Sequence, residues 1–544
     1  MAETVAALPN TSTWTTVGST TTGEWRTTDT SRWRWHSGFW PGQLWLLSQK
    51  TGSSTWEQRA EDWSEPIATT SLRNHDIGFL LLNSLGKGLL SHDDISDPGG
   101  AYRSFAKDAI IWGADILNGY FNHNGVPVGM TRSWFSIEGA FPVCVDNLMN
   151  LELMLLAHEL GGPREYFENA MTHARTSIDR HIRADGSTYH VIRHWASDDP
   201  GGDWASGDIR RKSTRQGFGD ESTWSRGQAW AIHGLSTVYR YALRLGDPDP
   251  SDILAAAQAT ADYFIAELPH YTSDPYNQRT GDFVPPSDFD AARGEPEGPW
   301  NDVNNNYLPN EAGVDGTDNK GRAYVDDRFL GMETFTLRDS SAAAIAASGL
   351  FELSELTRNP TKAALYRSTA EAILVSLITF DSGSDGPDYL NFIGETGDPG
   401  ILRLGSEAWG SPYKSTSYGD MYFLEALARY EALSARELLD STVEVDDLGS
   451  GPGLVFERHA SAPALRWRVE RTTALDSGNW EAIAWKTGGE AWSGPSSVTE
   501  TDLGNGKVRV QIFEAPTLPD SAYYRVVTLS SAIRETEWDD LLNR

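Results

Sequence analysis

The sequence predicts a mainly α protein built as a ring of helical hairpins, followed by a small antiparallel β domain. Three observations carry that expectation. Between Gly38 and Ser434 one pattern recurs: an apolar helix, a stop marked by Gly or Pro, and an amphipathic helix. Beyond about Asp440 the apolar period shortens to two, with Gly, Ser and Pro between the runs. The 544 residues exceed one ordinary core but suit a large toroid plus a small module.

Taken in order, residues 1–37 are rich in Thr, Ser and Trp, lack a helical period and read as an N-terminal extension. From Gly38, Trp40, Leu44 and Leu47 recur at helical spacing until "KTGSS", and a second helical run covers about 56–70. "HDIGFLLLNSLGKGLL" and 103–119 form the next pair. "CVDNLMNLELMLLAHELGGP" leads into 165–182, and "WSRGQAWAIHGLSTVYRYALRLGDPDP" into 250–267. "DSSAAAIAASGLFELSELTRNP" leads into 360–379, and a last apolar helix covers about 419–435. Five pairs and one extra helix point to an α/α toroid over 38–439. Its inner helices are the nearly all-apolar ones, and their N-termini open onto one face. The N-terminal segment shows no first helix, so a twelfth is unaccounted for.

Residues 270–337 break the pattern with Gly, Pro, Asn and Asp, and read as a large surface insertion centred on 285–335. Residues 440–452 read as a linker, 453–532 as a small β-sandwich-like domain and 533–544 as a tail. Trp485 and Trp492 are assigned to packing inside that domain.

Composition excludes several functions. Lys plus Arg number 45 against 76 Asp plus Glu, a net charge of −31, which argues against nucleic acid. An anionic ligand must then find a local basic pocket inside a repulsive field. No apolar run reaches the ~18–20 residues of a membrane helix, so no membrane partner is expected. The single cysteine, Cys144, precludes an internal disulfide. No P-loop, zinc spacing, dinucleotide fingerprint or EF-hand pattern is present, and no cofactor or metal is expected. The start lacks a basic-then-apolar signal pattern. A periplasmic or extracellular location is expected, with the cytoplasm left open. The sequence does not fix the oligomeric state.

Four motifs remain once the apolar pattern is subtracted. "RWRWHSGFWPGQLW" holds four tryptophans in fourteen residues. "NHDIGF" places His75 and Asp76 before an apolar helix, and "CVDNLMN" places Asp146 at a helix start. "RQGFGDESTWSRGQAW" gathers Gln216, Trp224, Arg226 and Trp230. Singly, each has a structural explanation. An Asp at a helix start is ordinarily a cap. Arg226 and Trp230 are i, i+4 and can form a structural cation–π pair. A single histidine is more often a hydrogen-bonded core residue. Together, two carboxylates, a histidine, a glutamine, an arginine and several indoles lie at first turns that converge in a toroid.

These residues carry a resemblance. "WHSGFWPGQLWLLSQKTG", "HDIGF", "CVDNLMNLELMLLA", "STYH", "STWSRGQAWAIHG", "RDSSAAAIAASGLFEL" and "YGDMYFLEALARYE" together resemble glycoside hydrolase family 88, the unsaturated glucuronyl hydrolases, in the family's order over residues 33–435. The resemblance implies an (α/α)6 barrel that removes a 4,5-unsaturated glucuronic acid from the non-reducing end of lyase-made oligosaccharides. The family hydrates the C4=C5 bond, and the hemiketal then opens and expels the aglycone. It implies Asp146 as acid/base, with Asp76 tuning it. Trp35, Trp224 and Trp230 would line the sugar pocket, with Trp33, Trp40 and Trp45 left to core and rim. Arg226 would meet the sugar carboxylate, His75 would also bind substrate, Gln216 and His190 would hold hydroxyls or water, and Trp134 would line the aglycone side. The expected partners are oligosaccharides ending in an unsaturated uronic acid, drawn from ulvan, glycosaminoglycan or a bacterial exopolysaccharide, with a lean towards a marine degrader. Two alternatives remain: a conventional glycosidase of the same fold using both Asp residues on a saturated sugar, and a non-catalytic carbohydrate-binding protein.

Overall fold

The structure, a computed structural model, describes residues 13–19, 25–30, 34–91, 100–134, 139–198, 201–268, 283–292, 338–378, 389–390, 400–406, 415–439, 444–447, 452–459, 465–472, 481–487, 497–504, 507–513 and 523–530. Most of the expected insertion, the C-terminal tail, Trp33 and Trp492 lie outside them.

Among the described residues are eleven long helices. The first pair is α1 (Phe39–Thr51) and α2 (Ser54–Ser64). Next, α3 runs through Ile77–Leu81, a π turn at Leu82–Gly86 and Lys87–Ser91, and is followed by α4 (Ala101–Asn118). Then come α5 (Asn147–Glu159) with α6 (Arg164–His181), and α7 (Ser225–Leu245) with α8 (Ser251–Glu267). The last are α9 (Ser340–Leu356), α10 (Pro360–Ile378) and α11 (Ser417–Leu439). Each lies within a few residues of its expected span, because the apolar period and the stops agree. Gly52 ends α1 with φ +64°, a backbone angle that L side chains resist.

The odd-numbered helices form a closed ring. In the order α1, α3, α5, α7, α9 and α11, each packs against the next, and α11 returns to α1. The even-numbered helices lie outside. Burial explains the division: nearly every residue of α5, α7 and α9 is buried, whereas α4 and α6 bury one face. The inner helices meet backbone to backbone. A Cβ added at Gly234 of α7 would lie 2.7 Å from the Leu148 carbonyl carbon of α5, and one at Gly349 of α9 would lie 2.8 Å from the His233 Cα of α7.

Among the described residues no outer helix follows α11 in the chain, although α10 touches it. Strands β1 (Thr13–Ser19) and β2 (Trp25–Asp29) form a hairpin in the N-terminal segment, and β1 touches α11. Trp14 belongs to the main core and exchanges hydrogen bonds with α2: its Nε1 donates to the Trp63 carbonyl, and Trp63 Nε1 donates to the Thr13 carbonyl, both at 2.9 Å. The segment without a helical period therefore supplies a hairpin, its Trp14 buried in the core.

A three-stranded antiparallel sheet was not anticipated: β3 (Ala140–Cys144), β4 (Val191–Trp195) and β5 (Ile209–Ser213), in that order. Five-residue strands, one containing Pro142 and one reading "IRRKS", carry little strand signal. Cys144 pairs with Val191, and Val191 with Ser213, so the end of β3, the start of β4 and the end of β5 share one edge. That edge faces the ring.

Towards the C-terminus, β6 (Glu444–Asp447), β7 (Pro452–His459), β10 (Ser497–Gly504) and β11 (Lys507–Phe513) pair in the order β10-β11-β7-β6. Strands β8 (Leu465–Thr472), β9 (Glu481–Thr487) and β12 (Tyr523–Ser530) pair as β12-β8-β9. Strand β6 falls inside the span read as linker.

Candidate active site

The first turns of the inner helices and the shared sheet edge converge. Asp76 precedes α3, Asp146 precedes α5, Trp224 precedes α7 and Asp339 precedes α9. His190 stands just before β4, and Gln216 three residues after β5. All ten residues singled out from the sequence fall into this one cluster.

The carboxylates at the helix starts divide into two kinds. Asp339 has extended backbone, and its side chain accepts from the amides of Ser341 and Ala342, as a cap does. Asp76 (φ −64°, ψ −8°) and Asp146 (φ −57°, ψ −23°) already have helical backbone, and neither makes a side-chain cap hydrogen bond. Their carboxyls therefore stay turned into the site. The cap explanation holds for Asp339 and fails for the other two.

Asp76 accepts from Asn74 Nδ2 at 3.2 Å, and its Oδ1 lies 3.3 Å from His75 Nε2. His75 Nδ1 lies 2.8 Å from the Ser133 carbonyl oxygen. That oxygen only accepts, so Nδ1 carries a proton. Asp146 Oδ1 is buried with no hydrogen-bond partner among the described residues. Burial is the largest influence on Asp146 and raises its carboxyl to about 6; His75, Arg226 and the Cys144 thiol oppose the rise, and Asp76 adds to it. Burial also raises Asp76, against His75, Asn74 and Arg215.

His190 is buried, and burial followed by Arg215 and Arg226 holds it well below the usual histidine range, hence neutral. Its Nδ1 accepts from the Arg215 amide at 3.2 Å, with the Thr214 hydroxyl at 3.0 Å and the Gln216 amide at 3.5 Å. The proton therefore sits on Nε2, which is buried without a protein partner among the described residues. The His190 ring lies 4.4 Å from Trp224.

Arg226 is buried, its guanidinium 4.6 Å from the Trp224 ring and 4.8 Å from Tyr418. Its Nη1 donates to Asp339 Oδ2 at 3.2 Å, to Ser341 Oγ at 3.5 Å and to the Ser406 carbonyl. The arginine expected to meet a sugar carboxylate is thus first held by a protein carboxylate. Trp35 stacks on Tyr418 (5.3 Å, 24°) and touches Phe79, which lies 5.1 Å from Trp230. Trp134 lies 5.7 Å from His75, under the Arg215 guanidinium at 4.8 Å. Trp40 and Trp45 are fully buried in the core.

The sequence reading missed Tyr418, Asp339, Ser133 and Arg215. Asp339 was legible as a cap in "RDSSAAAI". Tyr418 and Ser133 act through contacts between distant segments, which no local pattern marks.

No family model matches the chain. It is 32% identical over 406 residues to an unsaturated glucuronyl hydrolase of Formosa agariphila, over 73% of this chain and 80% of that protein. It is 30% identical over 413 residues to an unsaturated glucuronyl hydrolase of a Bacillus species, over 73% and 86%. A crystal structure of an unsaturated glucuronyl hydrolase specific for heparin superposes with a TM-score of 0.57 at 27% identity, over 79% of this chain and 95% of that one.

Proposed function

The chain belongs to the unsaturated glucuronyl hydrolase family, and from that premise we propose how its ring works. It is a glycoside hydrolase that acts on unsaturated oligosaccharides. We read the closed ring as an (α/α)6 barrel over 38–439, with strands β1, β7 and β12 against α11 where a twelfth helix would stand. Residues 453–532 we read as a small β domain. The substrate ends in a 4,5-unsaturated glucuronic acid. The heparin-specific relative favours a glycosaminoglycan as its source.

The C4=C5 bond of that sugar is an enol ether conjugated to a carboxylate. A proton delivered to C4 leaves positive charge at C5, where water adds. The hemiketal opens, the aglycone departs with its oxygen protonated, and a 4-deoxy-5-keto-uronate remains. One carboxyl group can serve both steps, giving its proton to C4 and taking one from the attacking water. This differs from the pair of carboxylates that flank an ordinary glycosidic bond.

We assign that role to Asp146. The observation that carries it is a carboxyl at a helix start that does not cap the helix and has a buried, unpartnered oxygen. Its value near 6 keeps a useful fraction protonated close to neutrality. Asp76 sustains that value and orients His75. Trp35, backed by the buried Tyr418, presents a ring face suited to sugar C–H surfaces, and His190 Nε2–H is a donor for a hydroxyl or the water. Arg226, held by Asp339, places positive charge close enough to act on Asp146.

The test follows the ultraviolet absorbance of a lyase-made unsaturated disaccharide, which is expected to fall with turnover. In deuterated water the product gains deuterium at C4. Turnover of the saturated analogue, with the unsaturated one untouched, would establish the conventional two-carboxylate route instead.

A further inference from the structure

We propose that His75, Cys144 and Asp146 form a binding site for a zinc-like divalent cation, which shuts the enzyme off. The site itself does not depend on the function assigned above; the inhibition rests on the role given to Asp146.

One ligand atom from each residue lies within 4.8 Å of the other two. In a tetrahedral zinc site with bonds of ~2.0–2.3 Å, ligand atoms are roughly 3.3–3.8 Å apart. A closure of about an ångström, within reach of side-chain rotation, completes the geometry.

Two of the three donors are set for a cation. The His75 Nδ1–H donates to the Ser133 carbonyl at 2.8 Å, which leaves Nε2 as the ligating nitrogen. A backbone carbonyl on the other ring nitrogen is how metal-binding histidines are ordinarily held. Asp146 Oδ1 is buried and accepts nothing among the described residues. The Cys144 thiol supplies a soft donor; burial and the neighbouring Asp146 and Asp76 keep it protonated in the free chain, so a cation must displace that proton on coordination. Asp76 Oδ1, 3.3 Å from His75 Nε2, adds a second negative charge beside the cation.

The donor set also defines the class of ion. Nitrogen, sulfur and carboxylate together suit zinc and its neighbours, whereas magnesium and calcium take oxygen. Local spacing hides the site, because His75 stands before α3, Cys144 ends β3 and Asp146 precedes α5. An ion held there occupies the carboxyl that must carry the proton, so it acts as an inhibitor rather than as a resident cofactor.

Cys144 is the chain's one cysteine, so a thiolate–metal absorption can arise only there. The chelator-treated full chain is titrated with Co2+, and turnover of the unsaturated disaccharide is followed in parallel with Zn2+ or Mg2+. One Co2+ per chain is expected, with a near-ultraviolet thiolate charge-transfer band and the visible bands of four-coordination. Zn2+ displaces it and stops turnover, and Mg2+ does neither. Cys144→Ser weakens inhibition by Zn2+ at least about tenfold. Co2+ binding without the charge-transfer band would overturn the site, as would equal inhibition by Mg2+. The charge-transfer band with undiminished turnover in Zn2+ would overturn the inhibitory role. Failure to turn over the unsaturated sugar at all would instead overturn the function assigned to the enzyme, while the optical titration still decides the metal site.

Discussion

The inner helices carry buried carboxyl groups at two levels, and the two levels shift them in opposite directions. At the helix starts, Asp146 is pushed up to about 6 and Asp76 is raised. Thirteen residues beyond Asp339, or ~20 Å further along α9, Glu352 is held down to about 2. Burial pushes all of these groups upward. At the lower level cations outweigh it: Arg240 Nε lies 2.7 Å from Glu352 Oε1, and Arg429 Nη2 lies 2.9 Å from Oε2. Glu425 is held well below the usual range by Lys87, His233 and Arg429, and accepts from the Ser348 hydroxyl at 2.7 Å. At the upper level Arg226 is already shared with Asp339. The local supply of cations therefore decides whether a buried carboxyl holds helices together or stays available to carry a proton.

Four experiments would break or sharpen this contrast. Asp146→Asn has the largest expected effect: a fall of ~10²–10⁴-fold in kcat, with thermal stability at neutral pH kept or raised because the buried charge is gone. Full activity in the variant would remove the upper level from the chemistry. Next, Glu352→Ala leaves Arg240 and Arg429 buried without their shared partner. Urea unfolding should show a loss of about 3–5 kcal/mol, with activity per folded molecule retained. A loss of a few tenths would mean the lower level does not hold the ring.

The third experiment concerns pH, with chelator present. The acid form of Asp146 is the active one, so kcat should fall as pH rises through about 6. Asp76→Asn removes a neighbouring negative charge and should move that limb to lower pH. The effects on stability have opposite signs. Glu352 is lower folded than unfolded, so its contribution is present above about 4.5 and is lost as pH falls towards about 2. Asp146 is higher folded than unfolded, so ionising it inside the ring opposes folding above about 6, and this penalty is relieved as pH falls. The smallest effect serves as the control. The exposed Arg164–Glu168 pair on α6, at 2.9 Å, should give a change within ~0.5 kcal/mol when Arg164 becomes Ala.

Much of this was legible in the sequence. Helices α1 to α11 followed from periodicity and stop signals, since burial on one face or all round writes itself into a 3.6-residue pattern. His75, Asp76, Asp146, Trp224 and Arg226 were singled out because first turns of parallel inner helices must meet, whereas Trp134 and His190 entered only through the family resemblance. The sheet that brings His190 and Gln216 to Asp146 was not found, because five-residue strands containing proline or three cations have no distinct period. The cap at Asp339 was legible, but the failure of Asp76 and Asp146 to cap their helices was not. All three precede helices, and only backbone angle separates a cap from a carboxyl turned inward. The contact between Arg226 and Asp339 was not legible for a related reason: Asp339 lies 113 positions away and reaches it only when the ring closes.

The glycines at 234 and 349 have a consequence for how such an enzyme can diversify. Where neighbouring backbones touch, the bore of the ring is fixed by the main chain and cannot be widened by exchanging side chains. Adapting this chain to bulkier or differently decorated sugars must then proceed by rewriting the segments around the helix starts, while the ring itself stays the same.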